Sequence, residues 1–139
     1  MRKTESYRRH HQELRELITD IQSLLSNGKV ADNLEAISGV VRRLSAKFGT
    51  HLAIEDKAFY PKAIAAADSG LSALATRFQS EMGPISGQFD AYRKKWPGPL
   101  AISRDTEAFV NETIKIIEAF NYRLEREETE LYALYDRVA

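Results

Sequence analysis

His51 and Glu55 stand four residues apart on an otherwise apolar stripe, and that pairing is the first place in this chain where chemistry could reside. Leu34, Ile37, Val41, Leu44 and Phe48 step by three and four residues, and the same stepping runs on through His51, Glu55 and Phe59. On a helix this spacing makes one face, so both polar groups point into a core. Buried without partners they would cost several kcal/mol each, so a metal ion, a buried ion-pair network, or each other with water must satisfy them. Two other stripes share the anomaly. One carries His11 among Tyr7, Leu14, Ile18, Ile21 and Leu25; the other carries Arg123 and Glu127 among Phe109, Thr113, Ile116, Phe120 and Leu131. Imidazole and carboxylate are ligands for iron and zinc. A buried arginine instead brings a permanent positive charge and pairs with carboxylates.

Four helices are expected to position these groups. The first spans roughly residues 4 to 27, and Asn27-Gly28 supplies a left-handed stop. Its His10 lies about 100° from His11 and belongs at the edge or in solvent. The second begins with Asp32 and Glu35 as a capping box and runs to Tyr60, where Pro61 should kink or end it. Asp68-Ser69-Gly70 caps a third helix, whose stripe of Leu71, Leu74, Phe78, Met82, Ile85, Phe89, Tyr92 and Trp96 stops at Pro97-Gly98-Pro99. Gly83-Pro84 inside it predicts a kink near Met82. The fourth starts near Ser103, with Asp105 and Glu107 in its first turn. No period-two pattern competes, so the fold class is all-α, an antiparallel up-down-up-down four-helix bundle.

The chain has 139 residues, the size of one domain with its own core, and residues 1–139 are read as a single bundle. Lysine plus arginine and aspartate plus glutamate each number 20, so no overall field attracts nucleic acid or an anionic membrane. The absence of cysteine excludes disulfides, thiolate catalysis and iron–sulfur clusters. With no signal-peptide pattern and no long apolar run, a cytoplasmic location is expected.

An internal repeat organises the polar core. With an offset of 72, Phe48 pairs with Phe120, Leu52 with Leu124, Glu55 with Glu127, Asp56 with Glu128, Tyr60 with Tyr132, and His51 with Arg123. With an offset of 71, Leu14 pairs with Ile85, Ile18 with Phe89, and His11 with Met82. The halves read as one helix pair, duplicated. Only the glutamate survives in both.

The segments His11-x-x-Leu14-Arg15-x-x-Ile18 and His51-Leu52-x-x-Glu55-Asp56-x-x-Phe59-Tyr60-Pro61, with the echo Leu124-x-x-Glu127-Glu128-x-x-Leu131-Tyr132, resemble the hemerythrin-like (HHE cation-binding) domains over nearly the whole chain. The resemblance implies a bundle built to hold non-haem iron and used in oxygen binding, in oxygen or iron sensing, or in handling nitric oxide or peroxide. By position His11, His51, Glu55 and Glu127 match ligands. Met82 and Arg123 fall where the family has histidines, and Ser86 where a second ligand on the third helix is usual.

A normal di-iron site is therefore not expected. The surviving set could hold at most one iron or zinc ion, with room for oxygen or nitric oxide if the ion is iron. The competing reading is a metal-free bundle in which Arg123 closes the network on Glu55 and Glu127, and which serves as an interaction domain for a protein partner still to be identified. Charge counting leaves both closures open. An enzyme of reductase or peroxidase type ranks last, because one iron serves two-electron chemistry poorly and no flavin or haem motif is present. Tyr60 and Tyr132 are expected to cover the end of the bundle.

Overall fold

The computed structural model describes residues 2–26 and 28–139. Its helices are α1 (Glu5–Ser26), α2 (Leu34–Ile54), α3 (Tyr60–Ile64), α4 (Ser69–Lys95), α5 (Pro99–Arg104), α6 (Thr106–Arg126) and α7 (Tyr132–Val138). A π-helical turn at Glu55–Phe59 joins α2 to α3 without a gap, and another at Glu127–Leu131 joins α6 to α7. Four rods result, 5–26, 34–64, 69–95 and 106–138. They pack antiparallel with no strand among the described residues, as the stripes require. No helix among those residues is long and apolar enough to cross a membrane.

The stripes meet as the repeat predicts. Phe48 and Phe120, equivalent by the offset of 72, stack on each other with centroids 3.6 Å apart and planes 23° from parallel. They sit where an approximate twofold axis must pass, since only residues on the axis can touch their own counterparts. Both are essentially unexposed, so truncating either to alanine should cost about 3–5 kcal/mol.

The helix ends correct several expectations. Asp68 caps α4 by accepting a hydrogen bond from the Leu71 N–H at 2.8 Å. Asp105 proves to be the cap of α6, accepting from Ala108 N–H at 3.0 Å, and Ser103 belongs instead to the short α5 that Pro99 opens. Asp32 does not cap α2. It closes a 3₁₀ turn over Val30–Asp32, which moves the start of α2 to Leu34 and leaves at the cap position Asn33, whose side chain donates back to the Lys29 carbonyl at 3.1 Å and does not cap the helix. Gly28 has φ 112°, the left-handed conformation expected after α1, while Asn27 lies outside the described residues.

Neither internal proline stops its helix. α4 continues across Pro84 because that residue and Ser80, whose carbonyl it leaves free, are both exposed, so water can take the missing bond. Pro61 sits in the first turn of α3, where the π turn has already shifted the pattern: the Tyr60 N–H bonds to the Glu55 carbonyl five residues back. Proline is not what creates this turn. The second half makes the same bond, Tyr132 N–H to Glu127 carbonyl, with Ala133 in the equivalent place.

Candidate metal centre

His11 projects from the second turn of α1, His51 from the last turn of α2, and Glu55 and Glu127 open the two π turns. All four are buried, at 0, 2, 0 and 0% exposure respectively. One ligand atom from each lies within 4.8 Å of all the others. The two histidine Nε2 atoms are 2.9 Å apart, His11 Nε2 is 3.3 Å from Glu127 Oε1, and His51 Nε2 contacts Glu55 Oε1. Ligands at right angles around an ion with bonds of about 2.0–2.1 Å stand about 2.9–3.0 Å apart, so these spacings suit a shared ion. Glu55 Oε1 and Glu127 Oε1 have only these imidazole nitrogens against them and no hydrogen bond of good geometry. Without an ion, one proton between the imidazoles and a second shared by Glu55 and Glu127 are needed to close the cluster; a single cation replaces both. The residues fit a cation.

The outer oxygens are held crosswise. Tyr60 Oη donates to Glu127 Oε2 at 2.6 Å, and Tyr132 Oη donates to Glu55 Oε2 at 2.8 Å and lies 3.1 Å from His11 Nε2. Each half thus orients the other half's carboxylate. Both tyrosines are fully buried beside the cluster, which corrects the expectation that they cover the bundle end. In an unbroken α-helix five residues turn the side chain by about 140°, away from the glutamate. The π turn absorbs one residue and swings the tyrosine back inward.

On the first-half side His11 Nδ1 meets Glu128 Oε2 at 3.0 Å, and Arg15 Nη2 holds that oxygen at 2.5 Å. A carboxylate on the far nitrogen fixes the ring and points the Nε2 lone pair at the cluster. Glu127 therefore faces the core, with Glu128 behind His11. His51 has no such support. Its Nδ1 is unpartnered, and its ring borders a groove of about 290 Å³ between α1 and α2, also lined by His10, Glu13, Lys47 and Thr50. His10 is half-buried at that edge, as its phase predicts.

Arg123 is 1% exposed and fills the second-half side. Its Nε donates to Glu127 Oε2 at 3.1 Å, while Nη2 lies 3.3 Å from Asp56 Oδ1 and 3.8 Å from Glu55 Oε1. Nη1 reaches the Met82 carbonyl at 3.5 Å, and the guanidinium lies 5.7 Å from the centre of the Tyr60 ring. Met82 is buried as apolar filling, and Ser86 reaches only Asp56, at 3.5 Å.

The charges divide unevenly. Burial works against ionising Glu127, but the His11 hydrogen bond and the Arg123 charge overcome it and bring its carboxyl down to about 2. Glu55 is pushed well up, by burial first and by the charge of Glu127 second. His51 falls to about 3 through burial and the neighbouring His11. His11 rises despite burial because Glu127 and Glu128 bond to it. Ionised together, the two carboxylates would outnumber the one guanidinium, and in the metal-free site the upward shift of Glu55 is what closes that gap.

A model of the family described as Hemerythrin HHE cation binding domain matches residues 2–135. The chain belongs to this family. No curated protein and no solved structure gives a significant match. As a hemerythrin HHE domain the chain is set apart by its own geometry: a buried cluster of two histidines and two glutamates on one side, and an arginine on the other. The stripes had pointed to each member of that cluster. What they missed were the tyrosines and the Arg15–Glu128 support of His11. A signal for the tyrosines was there: Glu55 to Tyr60 and Glu127 to Tyr132 repeat a spacing of five, the period of a π turn.

Proposed function

We propose that this hemerythrin-like domain binds one transition-metal ion at His11, His51, Glu55 and Glu127, and that Arg123 supplies the charge a second ion would bring. The observation that carries this reading is the convergence of two fully buried carboxylate oxygens and two imidazole nitrogens within reach of one ion. Iron suits the mixed nitrogen and oxygen set best, with zinc the runner-up. A bound iron would supply a redox-active centre able to take a diatomic molecule such as oxygen or nitric oxide. The protein's own part is to hold that site dry, with Tyr60 and Tyr132 fixing the carboxylates and Glu128 fixing His11. The groove beside His51 offers a way in from solvent.

We read the domain as a cytoplasmic binding or sensing module rather than an enzyme, because a fixed guanidinium cannot change oxidation state and so cannot share in two-electron chemistry. The metal-free reading is favoured by one observation, the Arg123–Glu127 pair with Asp56 alongside. Metal content per chain, measured by mass spectrometry on untagged protein purified anaerobically without chelators, separates the two. About one ion is expected. Two would remove Arg123 from its assigned role, and none after ferrous iron or zinc is offered back would leave the sealed network and an interaction function.

A further inference from the structure

Far from the cluster, the end of α4 and the middle of α2 enclose a groove of about 520 Å³ whose charged walls are all cationic. Arg42 comes from α2, and Arg93 and Lys94 from the last turn of α4; Ser45 contributes a hydroxyl, and the Trp96 ring lies at one end. Trp96 is 5% exposed, and its Nε1–H has no acceptor. That nitrogen is itself closed to solvent, so the indole meets the groove with its ring and not with its donor. Arg93 and Lys94 share the single carboxylate of Asp90, at 2.7 and 3.0 Å. Arg42 has no ion-pair partner among the described residues and is exposed at the groove.

The dipole of α4 accounts for basic residues in its last turn. It does not account for Arg42, which comes from another helix and faces the same groove without an ion-pair partner among the described residues. We propose that this groove binds a small oxyanion of the phosphate class, inorganic phosphate or a phosphate monoester, with the Ser45 hydroxyl and the Arg42 and Arg93 forks donating to its oxygens and the Trp96 ring as a wall. Guanidinium forks match tetrahedral oxyanions two bonds at a time. Counting Asp90 against Arg42, Arg93 and Lys94 leaves the groove two positive charges in excess, which suits a dianion better than a carboxylate. Val41, Pro97 and the indole face offer apolar wall for an organic substituent.

Trp96 is the chain's one tryptophan, so its indole N–H gives a single, unambiguous proton–nitrogen resonance. It lies 14 residues from Met82 along α4, about 20 Å, too far to sense phosphate bound at the metal cluster. Titration of the intact chain with inorganic phosphate at constant ionic strength should move that resonance to saturation, because the bound anion sits beside the ring. Arg42→Ala, at an exposed position, should weaken the effect at least tenfold and leave both the helical circular dichroism and the metal content unchanged. An indole resonance that stays put, a shift that never saturates, or an equal shift in Arg42→Ala would overturn the site. Acetate acting as strongly as phosphate would overturn the assignment to phosphate.

Discussion

Glu55 and Glu127 occupy equivalent places in the two halves. Each opens a π turn, and each accepts a hydrogen bond from the other half's tyrosine, yet their protons are held in opposite senses. Arg123 bonds Glu127 at 3.1 Å and stays 3.8 Å from Glu55, while His11 leans on Glu127 as well. One carboxylate is thereby well compensated, and the other carries the cost of burial. A symmetric scaffold is thus turned into an asymmetric site by two exchanges, arginine at the position paired with His51 and methionine at the one paired with His11. The far end of the bundle is unequal too. The second half buries a Tyr92–Thr113 hydrogen bond of 2.7 Å where the first half has Ile21 and Val41 at offsets of 71 and 72.

The largest effect expected from breaking this asymmetry belongs to Arg123→Ala. In the metal-free protein it should cost about 3–5 kcal/mol in urea unfolding, since it strands a buried carboxylate. A cost under about 1 kcal/mol would show that Glu127 does not depend on the guanidinium.

Next comes the Tyr92 side. Burial pushes its hydroxyl up to about 12, above the ordinary value of 10.0. The unfolded chain therefore loses this proton first. Its contribution is intact below pH 10 and is lost as pH rises toward 12, about 2–3 kcal/mol in all. Tyr92→Phe should flatten that part of the alkaline stability curve; parallel curves for the two proteins would refute the assignment.

Glu128→Gln tests the support of His11. Removing such a partner lowers metal affinity by about 10–100-fold, read by competition with a chelator. No change would make Glu128 only the partner of Arg15.

The smallest effect compares the crossed tyrosines in metal-free protein. Tyr60→Phe breaks a bond to an ionised carboxylate and should cost about 2 kcal/mol, whereas Tyr132→Phe breaks one to a protonated carboxyl and should cost about 1 kcal/mol. Equal costs, or the reverse order, would mean that the two carboxyls do not differ in charge.

The four buried polar side chains and Arg123 were legible because each interrupts an apolar stripe of period three to four, and the bundle followed from the same stripes. Tyr60 and Tyr132 were misjudged because a fixed period assumes that every turn holds the same number of residues. At Glu55–Phe59 and Glu127–Leu131 it does not. Asp32 was misplaced for a related reason: the 3₁₀ turn tightens the chain just before α2 and shifts the cap by one residue. α5 escaped notice because six residues are too few to show a period.

In genetic terms each π turn is an extra codon carried inside a helix. Both halves carry it at the same place, so parsimony dates the insertion before the duplication, when one short hairpin had to pair with a copy of itself. Deleting a single residue between Glu55 and Phe59 would restore an ordinary helix and turn the 60–64 segment by about 100°. The chain would then be repaired as a helix and spoiled as a site, with Tyr60 facing water and Glu127 left with Arg123 alone on that side.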